Sequence, residues 1–232
     1  MINIEEYPIL KNHIATLKET SLDDGGSVAA YMTDSQIEVV DFDKAKDDYV
    51  GNLHLPIRPQ SNDALHIALG SNDTFIEFKN GSLRYEEKRK EVRGKIYNSV
   101  LMLTDIIGEN ISYTRKHLNY ILVYNETKNP DDENINMKTA VQESQAREAI
   151  SKSVFRLAQE RKILFGLERF KGYCFKEVAT YSKEEFEQEF VAKISSKKRT
   201  SLFSFEKNFF GLSSNNLRII YTKNQKSEGK TW

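Results

Sequence analysis

The chain has 232 residues, 39% hydrophobic and 11% aromatic, enough apolar side chain for a packed core and too much for wholesale disorder. No run of about 18 apolar residues is present, so nothing reads as a membrane span, and the single Cys174 excludes an internal disulfide and a cysteine-based zinc site. The 34 basic and 34 acidic residues cancel, but not evenly along the chain. Residues 1–60 hold eleven acids against five bases, and residues 197–232 hold eight bases against two acids. Such polarity can present one face to a polyanion while the whole stays neutral; a solvated tail would carry the same signature. MINIEEYPIL is acidic and lacks an apolar h-region, so it does not read as a secretory signal, and a reducing cytosol is the expected location. The abundance of Lys, Asn and Ile suits an AT-rich bacterial or phage gene.

In chain order, Ile9 to Lys18 carries apolar residues at helical spacing (Leu10, Ile14, Leu17) and predicts a first helix. Asp23-Asp24-Gly25-Gly26 predicts a turn. Ser35 to Asp43, with Ile37, Val39, Val40 and Phe42, predicts a strand, and Pro56 and Pro59 bracket a stretch that cannot be regular helix. Ala64 to Leu69 and Thr74 to Lys79 are two short strands separated by Gly70-Ser71-Asn72-Asp73, which predicts a β-hairpin. Leu83 to Ile107 places Val92, Ile96, Val100, Leu103 and Ile107 on one stripe of a long amphipathic helix, weakened by roughly 1 kcal/mol at Gly94. Leu118 to Tyr124 predicts a buried strand, and the polar run to Met137 a mobile loop. Thr139-x-x-Gln142 reads as a capping box opening a helix to about Leu164. Leu167 to Tyr181 reads as extended, with a break near Gly172. Ser182-x-x-Glu185 is a second capping box, ahead of Phe186, Phe190 and Ile194 on one helix face. From Ser195 the chain is basic and aromatic.

The chemistry-bearing pattern lies on the hairpin. Alternation along a strand puts Glu77 and Lys79 on one face with Phe75, and Ile76 and Phe78 on the other. Asp63 is the second carboxylate. If facing positions across the hairpin sum to an odd number, Asp63 points away from Glu77. If the loop has three residues they sum to 142, and Asp63 faces Lys79, diagonal to Glu77. Two carboxylates converging there can hold a hard divalent cation such as Mg²⁺.

The motif Asp63-x13-Glu77-Phe78-Lys79, on a hairpin between a first helix and a long second one, resembles the PD-(D/E)XK nuclease superfamily. That group includes restriction endonucleases, junction resolvases and repair exonucleases. The resemblance extends over about residues 8 to 125. It departs from the pattern before the aspartate, where Ser61-Asn62-Asp63 has no proline. It implies an α/β fold with a mixed central sheet flanked by helices (restriction-endonuclease-like), and the residues beyond it read as a C-terminal α+β extension. The corresponding parts are a core over 1–125, a mobile polar loop over 126–140, a helix–strand–helix over 141–194 and a basic aromatic segment over 195–232.

By the same resemblance, Asp63 and Glu77 bind Mg²⁺ or Mn²⁺ together with the Phe78 backbone carbonyl, and Lys79 orients or helps deprotonate the attacking water. Glu19 is the candidate for the further glutamate that some members add from the first helix. The implied activity is phosphodiester hydrolysis, on DNA before RNA, in phage defence, a mobile element or repair. A homodimer that spans a duplex, or a partner subunit docked on the long helix, is the implied assembly. Lys88, Arg89, Lys197, Lys198 and Arg199 are the expected phosphate contacts. Against this stands the reading in which Glu77 and Lys79 form only an ion pair in a non-enzymatic binding module. The four histidines show no ligand spacing, and Cys174 reads as a small buried hydrophobe.

Overall fold

The structure, a computed structural model, describes residues 2–25, 29–55, 57–130 and 163–196. Its first compact unit ends at Phe186 and its second begins at Glu187. The first unit is built around a six-stranded sheet in the order β1-β4-β5-β6-β7-β8. Its strands are β1 (Ile14–Thr16), β4 (Glu38–Asp41), β5 (Ala64–His66), β6 (Asp73–Lys79), β7 (Leu118–Tyr124) and β8 (Val178–Ser182). β1, β4, β5 and β6 pair antiparallel in turn. β7 joins β6 in parallel, and β8 joins β7 in parallel. The chain is therefore a mixed α/β protein with a mixed sheet flanked by helices.

In the antiparallel half only β5 and β6 are joined by a short loop, residues 67–72. The parallel step from β6 to β7 needs a long crossover, supplied by α4 (Glu86–Ile107) and α5 (Ile111–His117). Val92, Ile96, Val100, Leu103 and Ile107 of α4 are all buried, as the stripe predicts. They belong to one core cluster with Phe42, Phe75, Leu118, Tyr120 and Leu122, and Phe42 meets Phe75 edge-on at 4.8 Å. α4 stops at Gly108, whose φ of +66° is the left-handed conformation that glycine adopts without strain. On the other face, Phe78 packs edge-on against Phe186, 5.7 Å away, from α6 (Lys183–Phe186).

Several expectations are corrected. The helix over Ile9–Lys18 is broken into α1 (Pro8–Lys11), β1 and α2 (Leu17–Thr20). β-branched Ile14 pairs across to Val40 of β4, and Thr16 caps α2 in a reciprocal box with Glu19. The strand over Ser35–Asp43 is shorter, because Asp41 caps a helix, α3 (Phe42–Leu53), by accepting from the Lys44 N–H. Asp23, expected in a turn, is instead the last residue of β2 (Leu22–Asp23), which pairs with β3 (Ala30–Tyr31) in a two-stranded ribbon. Asp73 is a buried strand residue rather than a turn former; its carboxylate accepts from the Ala68 and Ile2 amides.

Of Leu167–Tyr181, only the stretch from Val178 is strand. Before it come a 3-10 turn (Glu168–Phe170) and Gly172 at φ +69°. The Ser182 capping box forms in both directions. The helix opened by Thr139 and the polar loop beyond Pro130 lie outside the described residues, as does the basic aromatic segment from Lys197. In the second unit, the described residues include a π-helical stretch, Glu187–Val191, with Lys193 paired to Glu189. Among the described residues no helix is long and apolar enough to cross a membrane.

Candidate metal and phosphate site

Register decides the site. In β5 and β6, Ala64 faces Ile76, Leu65 faces Phe75 and His66 faces Thr74. Facing positions therefore sum to 140, with the loop Ile67–Asn72 between the strands, rather than the 142 that a three-residue loop requires. The sum is still even, so Asp63 falls opposite Glu77 and on the same side of the sheet. Asp63 lies just beyond the ladder. Its Oδ2 accepts the Phe78 N–H at 2.6 Å, replacing the main-chain partner that β5 no longer offers. Because the N–H and C=O of a strand residue turn toward the same neighbour, the Phe78 carbonyl faces this side as well.

Around Asp63 the structure brings together Glu77, Lys79 and a residue the sequence reading did not single out, Lys95 of α4. Lys79 Nζ lies 2.9 Å from Glu77 Oε1. Lys95 Nζ lies 2.7 Å from the same oxygen and 3.0 Å from Asp63 Oδ1, so it bridges the two carboxylates. The Glu77 side chain is fully buried, and those of Asp63, Lys95 and Lys79 are 15%, 14% and 24% exposed. The signal for Lys95 was present but quiet: it stands three residues after Val92 and next to Ile96, on the edge of the buried stripe. A lysine held there needs a carboxylate to meet it.

The cluster sets its own electrostatics. Burial, and then the Glu77 charge, push the Asp63 carboxyl up to about 7, against the opposing pull of Lys95, the Phe78 amide and Lys79. Burial opposes the charge on Lys95, but Glu77 and Asp63 outweigh it and hold the ammonium above the ordinary lysine range. Tyr120, buried on the neighbouring strand, has its phenol raised well above its usual value by burial first and then by the two carboxylates. Its hydroxyl has no hydrogen-bond partner among the described residues.

A cavity of about 520 Å³ opens onto Asp63, Phe78 and Lys79, a size within the roughly 300–1,000 Å³ of ordinary ligand clefts. Asp43, Asn80 and Lys88 are among its other walls. Asp43 sits in the first turn of α3, where it accepts from the Ser61 hydroxyl and pairs with Lys46. Asn80 donates to Asp23 Oδ2 at 2.8 Å, tying the end of β6 to the β2–β3 ribbon.

Not every expected residue arrives. Glu19 does not line the cavity. Its carboxylate accepts from the Thr16 backbone and hydroxyl in the α2 capping box, and that engagement holds it below the usual carboxylate range. Lys88 lines the cavity while pairing with Glu91, and Arg89 pairs with Glu86 on the exposed side of α4. Lys197, Lys198 and Arg199 lie outside the described residues. Among the described residues no group of three or more His, Cys, Asp or Glu side chains converges to hold a metal; a divalent ion here would rest on two carboxylates and a carbonyl.

Those donors suit a hard cation. Glu77 Oε2 is buried and accepts no hydrogen bond from the described residues. A carboxylate oxygen left so in a dry site is costly, and it offers the lone pairs that Mg²⁺ or Mn²⁺ takes. Comparison of the chain with protein-family models, with curated proteins and with solved structures finds no match.

Proposed function

We propose that this chain is a divalent-metal-dependent nuclease with a restriction-endonuclease-like core, hydrolysing phosphodiester bonds in DNA before RNA. The observation that carries the reading is the convergence of Asp63, Glu77 and Lys79 at one end of the β5–β6 ribbon, beside a cavity. The strand order, a ribbon followed by a helical crossover to a parallel strand, is compatible with the fold that the resemblance implies.

Asp63 and Glu77 would hold Mg²⁺ or Mn²⁺ with the Phe78 carbonyl. Bound there, the ion supplies charge neutralisation for a phosphorane-like transition state and a water of lowered pKa. Lys79, the most exposed member of the cluster and part of the cavity wall, would orient the attacking water and face the phosphate; its contact with Glu77 keeps it in place. The cavity wall carries Lys79 and Lys88 as well as Asp23, Asp43 and Glu91, so a phosphate there would meet Lys79 beside the two carboxylates. Asp63 and Glu77 act from protein elements with defined register, so misplacing either strand removes the site.

The test is cleavage of supercoiled plasmid, single-stranded DNA and RNA by the full chain with Mg²⁺ or Mn²⁺. Scission that ceases in EDTA and drops at least about 100-fold in Asp63→Asn and Glu77→Gln supports the nuclease, a loss equal to about 2.7 kcal/mol of barrier.

One observation favours a second reading. Lys95 already neutralises the carboxylates, so the four charges could serve as an internal ion network in a module that binds nucleic acid or a protein without cutting. A folded chain that binds DNA or RNA but cleaves neither under Mg²⁺ and Mn²⁺ establishes that reading and removes the first.

A further inference from the structure

We propose that Lys95 is a built-in competitor for the divalent ion: its ammonium stands where the ion would bridge Asp63 and Glu77, and the ion enters by displacing it. The inference rests on the metal-dependent reading above and deepens it.

Three observations carry it. The first is position. One nitrogen lies 3.0 Å from Asp63 Oδ1 and 2.7 Å from Glu77 Oε1, which is how a shared cation relates to two carboxylates. Magnesium–oxygen contacts of about 2.1 Å are shorter. The ion and the ammonium cannot both occupy that space, so the ammonium leaves as the ion enters.

The second is charge. With both acids ionised, Asp63 and Glu77 together with Lys79 and Lys95 sum to zero. A divalent ion added beside Lys95 leaves a buried excess of two positive charges. Displacing Lys95 from between the carboxylates removes the direct repulsion and leaves one positive charge among the ion, Asp63, Glu77 and Lys79, which a single phosphodiester anion cancels. Metal binding is therefore weak in the free protein and strengthened by the substrate phosphate.

The third is reach. Lys95 arrives from α4 on a long flexible side chain that remains 14% exposed, whereas Asp63 and Glu77 are held by strand register and the Phe78 amide. When a charge pair must part, the side chain on the helix is the one that can move. Lys95 is thus a positioning residue, acting through the two carboxylates, and not a catalytic one.

The experiment measures Mn²⁺ binding to the full chain by calorimetry and by the electron paramagnetic resonance signal of free Mn²⁺. It compares wild type, Lys95→Met, Lys95→Arg and Glu77→Gln, with circular dichroism as the check on folding. Lys95→Met is expected to bind Mn²⁺ at least tenfold more tightly than wild type. Lys95→Arg should stay as weak as wild type, and Glu77→Gln should lose binding. A purely structural lysine would give no such gain.

Should Lys95→Met fail to fold, Lys95→Gln replaces it, since the amide fills the space and donates a hydrogen bond without the charge. Equal Mn²⁺ affinity in wild type and the folded Lys95→Met or Lys95→Gln chain overturns the competition and leaves the metal site standing. Absence of Mn²⁺ binding in every folded variant overturns the metal reading itself, and this inference with it.

Discussion

Lys95 Nζ lies 2.7 Å from Glu77 Oε1, joining the middle of the long helix α4 to the sheet through a fully buried carboxylate. Removing one partner of such a pair strands the other, which costs about 3–5 kcal/mol, whereas removing both can be nearly neutral. Glu77→Gln and Lys95→Met are each expected to lower stability by about 3 kcal/mol, and the double variant by clearly less than their sum. Urea denaturation of the four chains of this cycle measures the coupling, and additivity would show that the two groups do not act on each other.

Lys79 is the cation of the cluster that also lines the cavity. Lys79→Met is expected to slow single-turnover cleavage at least about 100-fold while leaving DNA affinity within about threefold of wild type, since one phosphate contact among several is lost. Cleavage with Mg²⁺ and mobility shift with Ca²⁺ separate the two effects. Loss of affinity to match the loss of rate would make Lys79 a binding residue only.

Asp73 carries a prediction about pH. Its carboxylate is buried and accepts from the Ala68 and Ile2 amides, yet burial outweighs those bonds and holds its pKa above the ordinary value of 3.8. A carboxyl raised in the folded state keeps its proton while the unfolded chain gives it up, so stability falls as pH rises from the unfolded toward the folded pKa. Asp73→Asn removes that titration and turns one acceptor into a donor facing an N–H. Wild type should therefore be the more stable at pH 4, by about 1–3 kcal/mol, with the gap narrowing at pH 7. Denaturation of both chains at the two pH values checks it, and a gap that widens with pH would refute it.

Phe186 tests how the far end of the unit supports the site. It is fully buried and packs edge-on against Phe78, the residue whose amide holds Asp63. Phe186→Ala is expected to cost about 3–5 kcal/mol, while Phe186→Leu should cost roughly half as much. Thermal melting of both reads the difference; a melting temperature unchanged in Phe186→Ala would mean that this contact does not support the site strand.

Much of the site was written in local pattern. Alternation in Thr74–Lys79 placed Glu77 and Lys79 on one face, and the apolar stripe of Leu83–Ile107 located α4 with its buried residues. Both follow from periods of two and of 3.6, which need no knowledge of the rest of the chain. The same local logic joined Ile9–Lys18 into one helix. Helical spacing there was met by residues that the sheet used differently, because Ile14 found Val40 across a strand pair.

What the amino-acid order determined by itself was which side chains share a face: Glu77 with Lys79, and Val92 with Ile96. What only the tertiary structure decided was who meets across elements. The register sum of 140 put Asp63 opposite Glu77, and the docking of α4 set Lys95 between them. The physical reason is that neighbours along a helix or strand are fixed by backbone geometry, whereas loop length and the shared burial of Phe42, Phe75 and Ile96 choose the partners, and no local period carries that information.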